Sequence, residues 1–191
     1  TSGNCHKVKL LLEQLKIPYQ WVEVELSKGA TRTKEFLTMN PNGRVPTIEL
    51  GPGQYLAESN AILCYLADGT LFWSSDKLER AETLQWMFFE QNNHEPNIAV
   101  ARGICRRLPV DHPRRAELPR LLELGYEALG VMEQHLAKHS FFVGDKYSIA
   151  DIVLFAYNHV AADGGFSLDR FPAINEWLHR IKTQPGFVGM V

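Results

Sequence analysis

Residues 40–47 read Asn-Pro-Asn-Gly-Arg-Val-Pro-Thr, and residues 58–62 read Glu-Ser-Asn-Ala-Ile. In the first stretch, a Pro-Asn-Gly turn leads into an apolar-alternating strand that starts with Pro46, a residue that cannot donate a hydrogen bond to a sheet ladder. In the second, Glu58 and Ser59 precede an apolar run, which predicts the start of a helix with unpaired amides. Together the two stretches predict a platform for an extended peptide.

The same residues predict how such a peptide binds. A Val45-Pro46 bond in the cis form turns the amide and carbonyl of Val45 outward, where they can pair with the backbone of a small extended ligand. The unpaired amides at the helix start attract an anion. We therefore expect a carboxylate group to bind beside Ser59.

Composition limits the possible functions. The chain has 191 residues, is 45% hydrophobic and carries a formal net charge of -2, so it can bury a core in one or two domains without a general attraction to nucleic acid or anionic membranes. No apolar run approaches the roughly 20 residues that a membrane-spanning helix needs. The three cysteines, Cys5, Cys64 and Cys105, lack metal-ligand spacing and are odd in number. We expect no metal and no disulfide framework, and a location in the reducing cytosol.

Hydrophobic periodicity predicts, in order, a helix at 7–15, a strand at 19–26, a helix at 31–39, strands at 45–50 and 55–57, and a helix at 59–67. This is the order of a thioredoxin-like domain without its first strand. That strand lies inside the sheet, so its loss would leave buried amides unpaired. We therefore expect roughly 6 to 9 additional residues before Thr1, the length of a typical strand; a native start at Thr1 is the alternative.

Beyond about Lys77 the strand signal disappears and helices are predicted at 78–101, 114–138, 148–161 and 171–182. The first has apolar residues on two sides, which indicates burial against the first domain and against a second subunit. Pro96 is expected to kink it. The predicted fold class is α/β plus all-α: a thioredoxin-like domain at 1–68, a linker at 69–76 and an all-helical domain at 77–191, assembled as a homodimer.

Four motifs, in this order and spacing, resemble those of the soluble glutathione transferases, nearest the serine-type and bacterial members. They are Ser-Gly-Asn-Cys-His-Lys-Val at 2–8, the two stretches quoted above, and Ser-Ile-Ala-Asp at 148–151. The resemblance extends over essentially the whole chain. It implies a glutathione-binding first domain, glutathione as co-substrate, and detoxification of small electrophiles in the cytoplasm.

Residues 2–5 enter the first helix with the spacing of a Cys-x-x-Cys redox motif, but Ser2 replaces the first cysteine. The Ser2 hydroxyl can donate a hydrogen bond to the thiolate of a bound glutathione at a helix end that also favours the anion. The resemblance implies Asn4 as a second donor. Two alternatives remain: Ser2 is a simple helix N-cap, or Cys5 itself has a depressed pKa and forms mixed disulfides with glutathione.

The resemblance also implies a binding set for the rest of the tripeptide, formed by Arg32, Arg44, Val45, Pro46, Glu58 and Ser59. Glu58 would hold the ammonium of the γ-glutamyl end, and Ser59 the adjacent carboxylate. Arg44 would reach the carboxylate at the glycine end, with Arg32 as a second candidate. Related classes have a histidine or glutamine where this chain has Thr31, and either arginine can instead be a solvated surface charge.

Candidates for an electrophile pocket lie along the helix that contains Pro96, and they are Phe89, Asn93, His94, Ile98 and Arg102. They would form a mostly apolar cleft with a few polar groups. The aromatic residue can instead belong to the core or a dimer interface, and a lone histidine is more often structural than a general base.

Ser148 and Asp151 form a Ser-x-x-Asp pattern before an apolar run, which predicts a capping box at a helix start. Their expected role is structural.

The function that these residues favour is conjugation of the glutathione thiolate to a small electrophile. A glutathione-dependent disulfide oxidoreductase is one alternative. A non-catalytic binding or regulatory module with the same fold is the other, because one scaffold hosts many functions.

Overall fold

The computed structural model describes residues 2–190, which divide into two compact units. The first unit contains the chain up to Asp68 together with the segment from Pro185 onward, and the second contains residues 69–184. The terminal segment thus packs with the first unit, whereas the sequence placed it in the helical domain at 77–191. A hydrogen bond from His6 Nε2 to the Val188 carbonyl, at 2.9 Å, holds it against the first helix.

The first unit has its regular elements in the order helix, helix, strand, strand, helix. They are α1 Gly3–Leu15, α2 Lys34–Met39, β1 Thr47–Gly51, β2 Gln54–Ala57 and α3 Ser59–Ala67. The strands form an antiparallel pair with Thr47 opposite Ala57, joined by a turn in which Gly53 adopts a φ of 73°. This positive φ is one that glycine tolerates without strain.

The predicted strand at 19–26 does not form. Residues 17–25 have no regular secondary structure, and their side chains are exposed at Trp21 and Val22. A strand exists only where a second strand satisfies its backbone, and within residues 2–190 the ladder is limited to β1 and β2. The hydrophobic periodicity at 19–26 is therefore not sufficient to produce a strand.

The core of the first unit fixes the helices that begin at the proposed platform. Val8 and Leu12 of α1 pack against Ile62 of α3, and the hairpin adds apolar side chains from its inner face. Since α1 and α3 share this core, their relative position is set by side-chain packing.

The second unit is helical throughout its regular structure. Its α-helices are α4 Lys77–Phe89, α5 Glu95–Arg107, α6 Leu118–Leu136, α7 Ile149–Asn158 and α8 Pro172–Lys182. Every residue of α7 is buried, and the fully buried Trp177 of α8 donates its indole N–H to Asp151 of α7 at 2.9 Å. The α/β plus all-α fold class predicted from the sequence is confirmed. Within residues 2–190, every helix is too short or too polar to cross a membrane.

The predicted helix at 78–101 is two helices separated by a π-helical turn, Glu90–His94. The sequence had placed the irregularity at Pro96, but Pro96 lies in the first turn of α5. Proline is accommodated there because the first amides of a helix have no intrahelical partner. The interruption therefore precedes the proline and includes the buried side chains of Glu90 and His94.

Candidate functional site

The first helix begins at the segment that the sequence singled out for thiol chemistry. Ser2 is the N-cap of α1, with its Oγ accepting a hydrogen bond from the Cys5 amide at 3.5 Å. The Ser2 side chain is half-buried, as is that of Asn4 in the first turn. An accepting hydroxyl oxygen retains its own proton, so the cap leaves Ser2 able to donate to a ligand.

The environment of Cys5 does not lower the pKa of its thiol, as the environment of a reactive cysteine does. Burial raises the pKa of its thiol above the ordinary value, and the lowering influence of the neighbouring Ser2 hydroxyl offsets this only in part. A half-buried thiol with a raised pKa is protonated at neutral pH and is a poor nucleophile.

The turn at 40–43 is organised by the buried side chain of Asn40. Its Oδ1 accepts from the Asn42 amide at 3.0 Å, and its Nδ2 donates to the Arg44 carbonyl at 2.8 Å. Gly43 has a φ of 61°, and a Cβ there would lie 2.5 Å from the Arg32 guanidinium. Only glycine satisfies both the backbone and the close approach.

After this turn, the backbone N–H and C=O of Val45 lie outside the β1–β2 ladder. The Val45-Pro46 bond is cis, and β1 starts only at Thr47. Among residues 2–190 the Val45 N–H and C=O pair with no other group. A half-buried residue with both backbone groups free can pair with an extended ligand.

Glu58 follows the hairpin and immediately precedes α3. Glu58 has a φ of 67° and a ψ of 111°, a rare conformation for a residue other than glycine. Its side chain makes no capping hydrogen bond to the start of α3, where the first amides lack intrahelical partners. Such strained residues concentrate at ligand sites.

The structure brings the two helix starts together. Ser59, which is buried, donates a hydrogen bond from its hydroxyl to Asn4 Oδ1 at 3.4 Å. On the other side, Asn42 Nδ2 donates to Glu58 Oε1 at 3.4 Å. These two hydrogen bonds link the segments at 2–8, 40–47 and 58–62 to one another.

The two arginines differ in their surroundings. Arg32 Nη1 donates to the Asn42 carbonyl at 3.1 Å, so it is engaged in holding the turn. Arg44 is exposed, and its guanidinium has no hydrogen bond or ion pair within residues 2–190. Arg44 has the greater freedom to meet a ligand carboxylate.

The candidates for an electrophile pocket are not gathered at one surface. Asn93 is exposed, while His94 and Ile98 are fully buried. Arg102 is also buried and pairs with Asp163 at 3.0 Å, and the half-buried Phe89 packs edge-on against Trp86. Within the second unit, His94, Ile98 and Arg102 therefore belong to the interior.

The Ser148–Asp151 segment has the geometry of a capping box. Ser148 Oγ accepts from the Ala150 amide at 3.2 Å, and an Asp151 oxygen accepts from the Ser148 amide at 2.9 Å. The other Asp151 oxygen accepts from Phe142 and Trp177. These bonds tie the start of α7 to its neighbours.

Two buried residues that hold these segments in place were missed by the sequence reasoning. Asn40 had a detectable signal, since an asparagine before Pro-Asn-Gly commonly hydrogen-bonds its own turn. Lys7 had none. It is fully buried, with its Nζ 3.5 Å from Ser59 Oγ, although a lysine in a helical pattern is ordinarily exposed.

Comparison with known proteins identifies the family. Residues 1–68 match the family described as "Glutathione S-transferase, N-terminal domain", and residues 87–185 match "Glutathione S-transferase, C-terminal domain". The disulfide-bond oxidoreductase YfcG of Escherichia coli is 32% identical, over 96% of this chain and 88% of the relative.

Solved structures of other proteins are similar to this one over nearly the whole chain. A glutathione S-transferase from Pseudomonas fluorescens is 50% identical with a TM-score of 0.95, over 98% of this chain and 94% of that one. A glutathione transferase family member from Pseudomonas fluorescens with two glutathione molecules bound is 28% identical with a TM-score of 0.85, over 97% and 86% of the two chains. The chain belongs to the glutathione S-transferase family.

Proposed function

We propose that this protein binds glutathione where α1 and α3 begin and transfers its thiolate to a small electrophile. The observation that carries the proposal is the hydrogen bond between Ser59 and Asn4, at 3.4 Å. It joins the anion-binding start of one helix to the predicted thiol-binding start of the other. A tripeptide with a carboxylate at one end and a thiol in the middle fits this spacing.

The γ-glutamyl end of glutathione lies at α3 in this proposal. Its carboxylate accepts a hydrogen bond from the backbone amide of Ser59, and its ammonium pairs with Glu58. The start of α3, which Glu58 does not cap, supports the first contact, and the exposed carboxylate of Glu58 supports the second.

The middle and the glycine end of glutathione lie along the turn at 40–43 and β1. The free N–H and C=O of Val45 pair with the peptide backbone next to Pro46. Arg44 binds the terminal carboxylate, because its guanidinium is uncommitted, and Arg32 supports the turn beneath.

Ser2 and Asn4 stabilise the thiolate. A thiol with a pKa of about 8.5 is only a few per cent ionised at pH 7, and lowering that pKa by about two units requires roughly 2.7 kcal/mol. A hydrogen bond to a charged group contributes about 1.5 to 3 kcal/mol and a helix terminus about 0.3 to 1. Two donors at the start of α1 therefore suffice, and the raised pKa of Cys5 weighs against it as the nucleophile.

A glutathione-dependent disulfide oxidoreductase is the second candidate. It is favoured by the 32% identity to a protein named as a disulfide-bond oxidoreductase and by the family member that holds two glutathione molecules. In this reaction the bound thiolate attacks one sulfur of a disulfide and expels the other as a thiolate. A second glutathione then attacks the mixed disulfide, so that oxidised glutathione and a second thiol leave.

The deciding experiment is an ultraviolet titration of glutathione into the protein, with thiolate absorbance followed from pH 5 to 9. We expect saturable binding and an apparent thiol pKa well below that of free glutathione. Turnover is then compared with an aryl halide and with a small symmetric disulfide. Faster disulfide turnover would favour the second candidate, and absence of glutathione binding would leave the non-catalytic module.

We also propose that the protein is a cytosolic homodimer. Its three cysteines are half-buried and form no disulfide within residues 2–190, which suits a reducing compartment. On α4, Trp86 and Met87 are buried while Leu78 and Phe88 are 66% and 62% exposed. An exposed apolar side of this kind is typical of a subunit interface.

A further inference from the structure

Lys7 is an unusual residue in the first unit. It lies on α1 with none of its surface exposed, and its Nζ is 3.5 Å from Ser59 Oγ and 3.4 Å from Asn60 Oδ1. Lysine is almost never fully buried, because its ammonium loses hydration. These contacts are to the first two residues of α3, so the positive charge lies beside the start of that helix.

The contacts of Ser59 fix the direction of its hydrogen bonds. An ammonium only donates, so Ser59 Oγ accepts from Lys7 Nζ. The single hydroxyl proton is then free to go to Asn4 Oδ1, 3.4 Å away. Asn4 consequently has its oxygen occupied, and its Nδ2 is the group left to donate to a ligand.

We propose, on the basis of the glutathione site described above, that Lys7 is a positioning residue for both ends of that site. Its charge strengthens the attraction of the α3 start for the γ-glutamyl carboxylate. Through Ser59 it also holds the Asn4 amide with Nδ2 available to the sulfur. The carboxylate site and the thiolate site are therefore coupled through one buried side chain.

The test uses two substitutions that separate charge from hydrogen bonding. Lys7→Met keeps the approximate volume and removes both, whereas Lys7→Gln removes the charge and retains a donor for Ser59. Lys9→Met is the control, since Lys9 is half-buried on the same helix with its Nζ near the Trp21 ring. Thermal melts first establish which variants are folded, and Lys7→Gln serves alone if the apolar variant does not fold.

Affinity is measured by calorimetry with glutathione and with S-methylglutathione, which lacks a thiol. We expect both Lys7 variants to bind S-methylglutathione at least tenfold more weakly than the parent protein, and Lys9→Met to match the parent. The bound thiol of glutathione should show a pKa about one unit higher in Lys7→Met and nearly unchanged in Lys7→Gln.

The outcomes separate this inference from the proposed function. If the parent protein does not bind glutathione, the proposed function fails and this inference with it. If the parent binds and the folded Lys7 variants bind S-methylglutathione with parental affinity, only the inference is overturned. A weaker affinity with an unshifted thiol pKa in Lys7→Met would overturn the coupling to Asn4.

Discussion

Ser2 combines two roles in one hydroxyl group. Its oxygen caps α1 by accepting from the Cys5 amide, and its proton is the donor proposed for the glutathione thiolate. A substitution removes both, so a loss of activity by itself does not distinguish them. The distinction requires a second helix cap whose loss affects stability alone.

For Ser2→Ala we expect turnover to fall by about 10- to 100-fold, because the lost hydrogen bond to a charged sulfur contributes about 1.5 to 3 kcal/mol. The pKa of the bound thiol should rise by about one to two units. Glutathione affinity should change little, since the other contacts remain. Steady-state kinetics and the thiolate titration measure these effects, and an unchanged turnover would remove Ser2 from the mechanism.

Thr33→Ala is the matched control within the same unit. Thr33 caps α2 by accepting from the Phe36 amide at 3.2 Å. Both substitutions should lower the free energy of unfolding by about 1 kcal/mol, the usual effect of losing a cap. Only Ser2→Ala should shift the thiol pKa.

At the scale of an element, α7 depends on one buried carboxylate. Asp151 accepts hydrogen bonds from the amides of Ser148 and Phe142 and from the indole of Trp177. Burial nevertheless raises its pKa to about 6, since the charged form loses hydration. The start of α7 is therefore held by several hydrogen bonds to Asp151, and its stability depends on whether Asp151 is protonated.

Asp151→Asn should lower the free energy of unfolding by about 2 to 4 kcal/mol, because an amide nitrogen replaces an oxygen that faces donors. Urea unfolding measures the loss. Asp169→Asn is the control, since Asp169 bonds Ser167 in an exposed turn at 2.8 Å and should cost little. Equal losses in the two variants would contradict a structural role for Asp151.

The raised pKa also predicts how stability depends on pH. The folded-state pKa of about 6 lies above the ordinary value of 3.8, so the folded protein binds this proton more tightly than the unfolded chain does. The resulting stabilisation is complete below about pH 4 and is lost as the pH rises through about 6. The advantage of the parent over Asp151→Asn in unfolding free energy should therefore be about 1 kcal/mol larger at pH 5 than at pH 7. A constant difference across this range would contradict the assignment.

At the scale of the whole molecule, the exposed apolar side of α4 leads us to expect a homodimer. We expect a dimer in sedimentation equilibrium at micromolar concentration, and at least 100-fold weaker association for Phe88→Glu, since burying an unpaired charge opposes association. Val110→Glu is the control, because Val110 is 86% exposed in the loop between α5 and α6. A monomeric parent protein, or dimerisation unaffected by Phe88→Glu, would contradict the proposed interface.

The candidate site was only partly predictable from sequence. Ser2, Glu58 and Ser59 could be proposed from the sequence because helix starts and turns have short-range signals in capping and turn residues. Lys7 was missed because its burial depends on α3, more than 50 residues away in sequence. The five candidates along 89–102 were chosen from helical spacing, which does not distinguish a pocket from the core, as the burial of His94 and Arg102 illustrates.

The sequence by itself determined the elements whose stability is local: the helices at α1 and α3, the β1–β2 hairpin and the capping box at Ser148. Each has a sequence signal, in capping residues, turn residues or apolar spacing, that lies within a short stretch of the chain. The tertiary structure alone decided that residues 19–26 form no strand, that the segment after Pro185 returns to the first unit, and that Ser59 meets Asn4. These outcomes depend on partners distant in sequence, because a strand needs a ladder and a buried polar group needs a bond that no local pattern specifies.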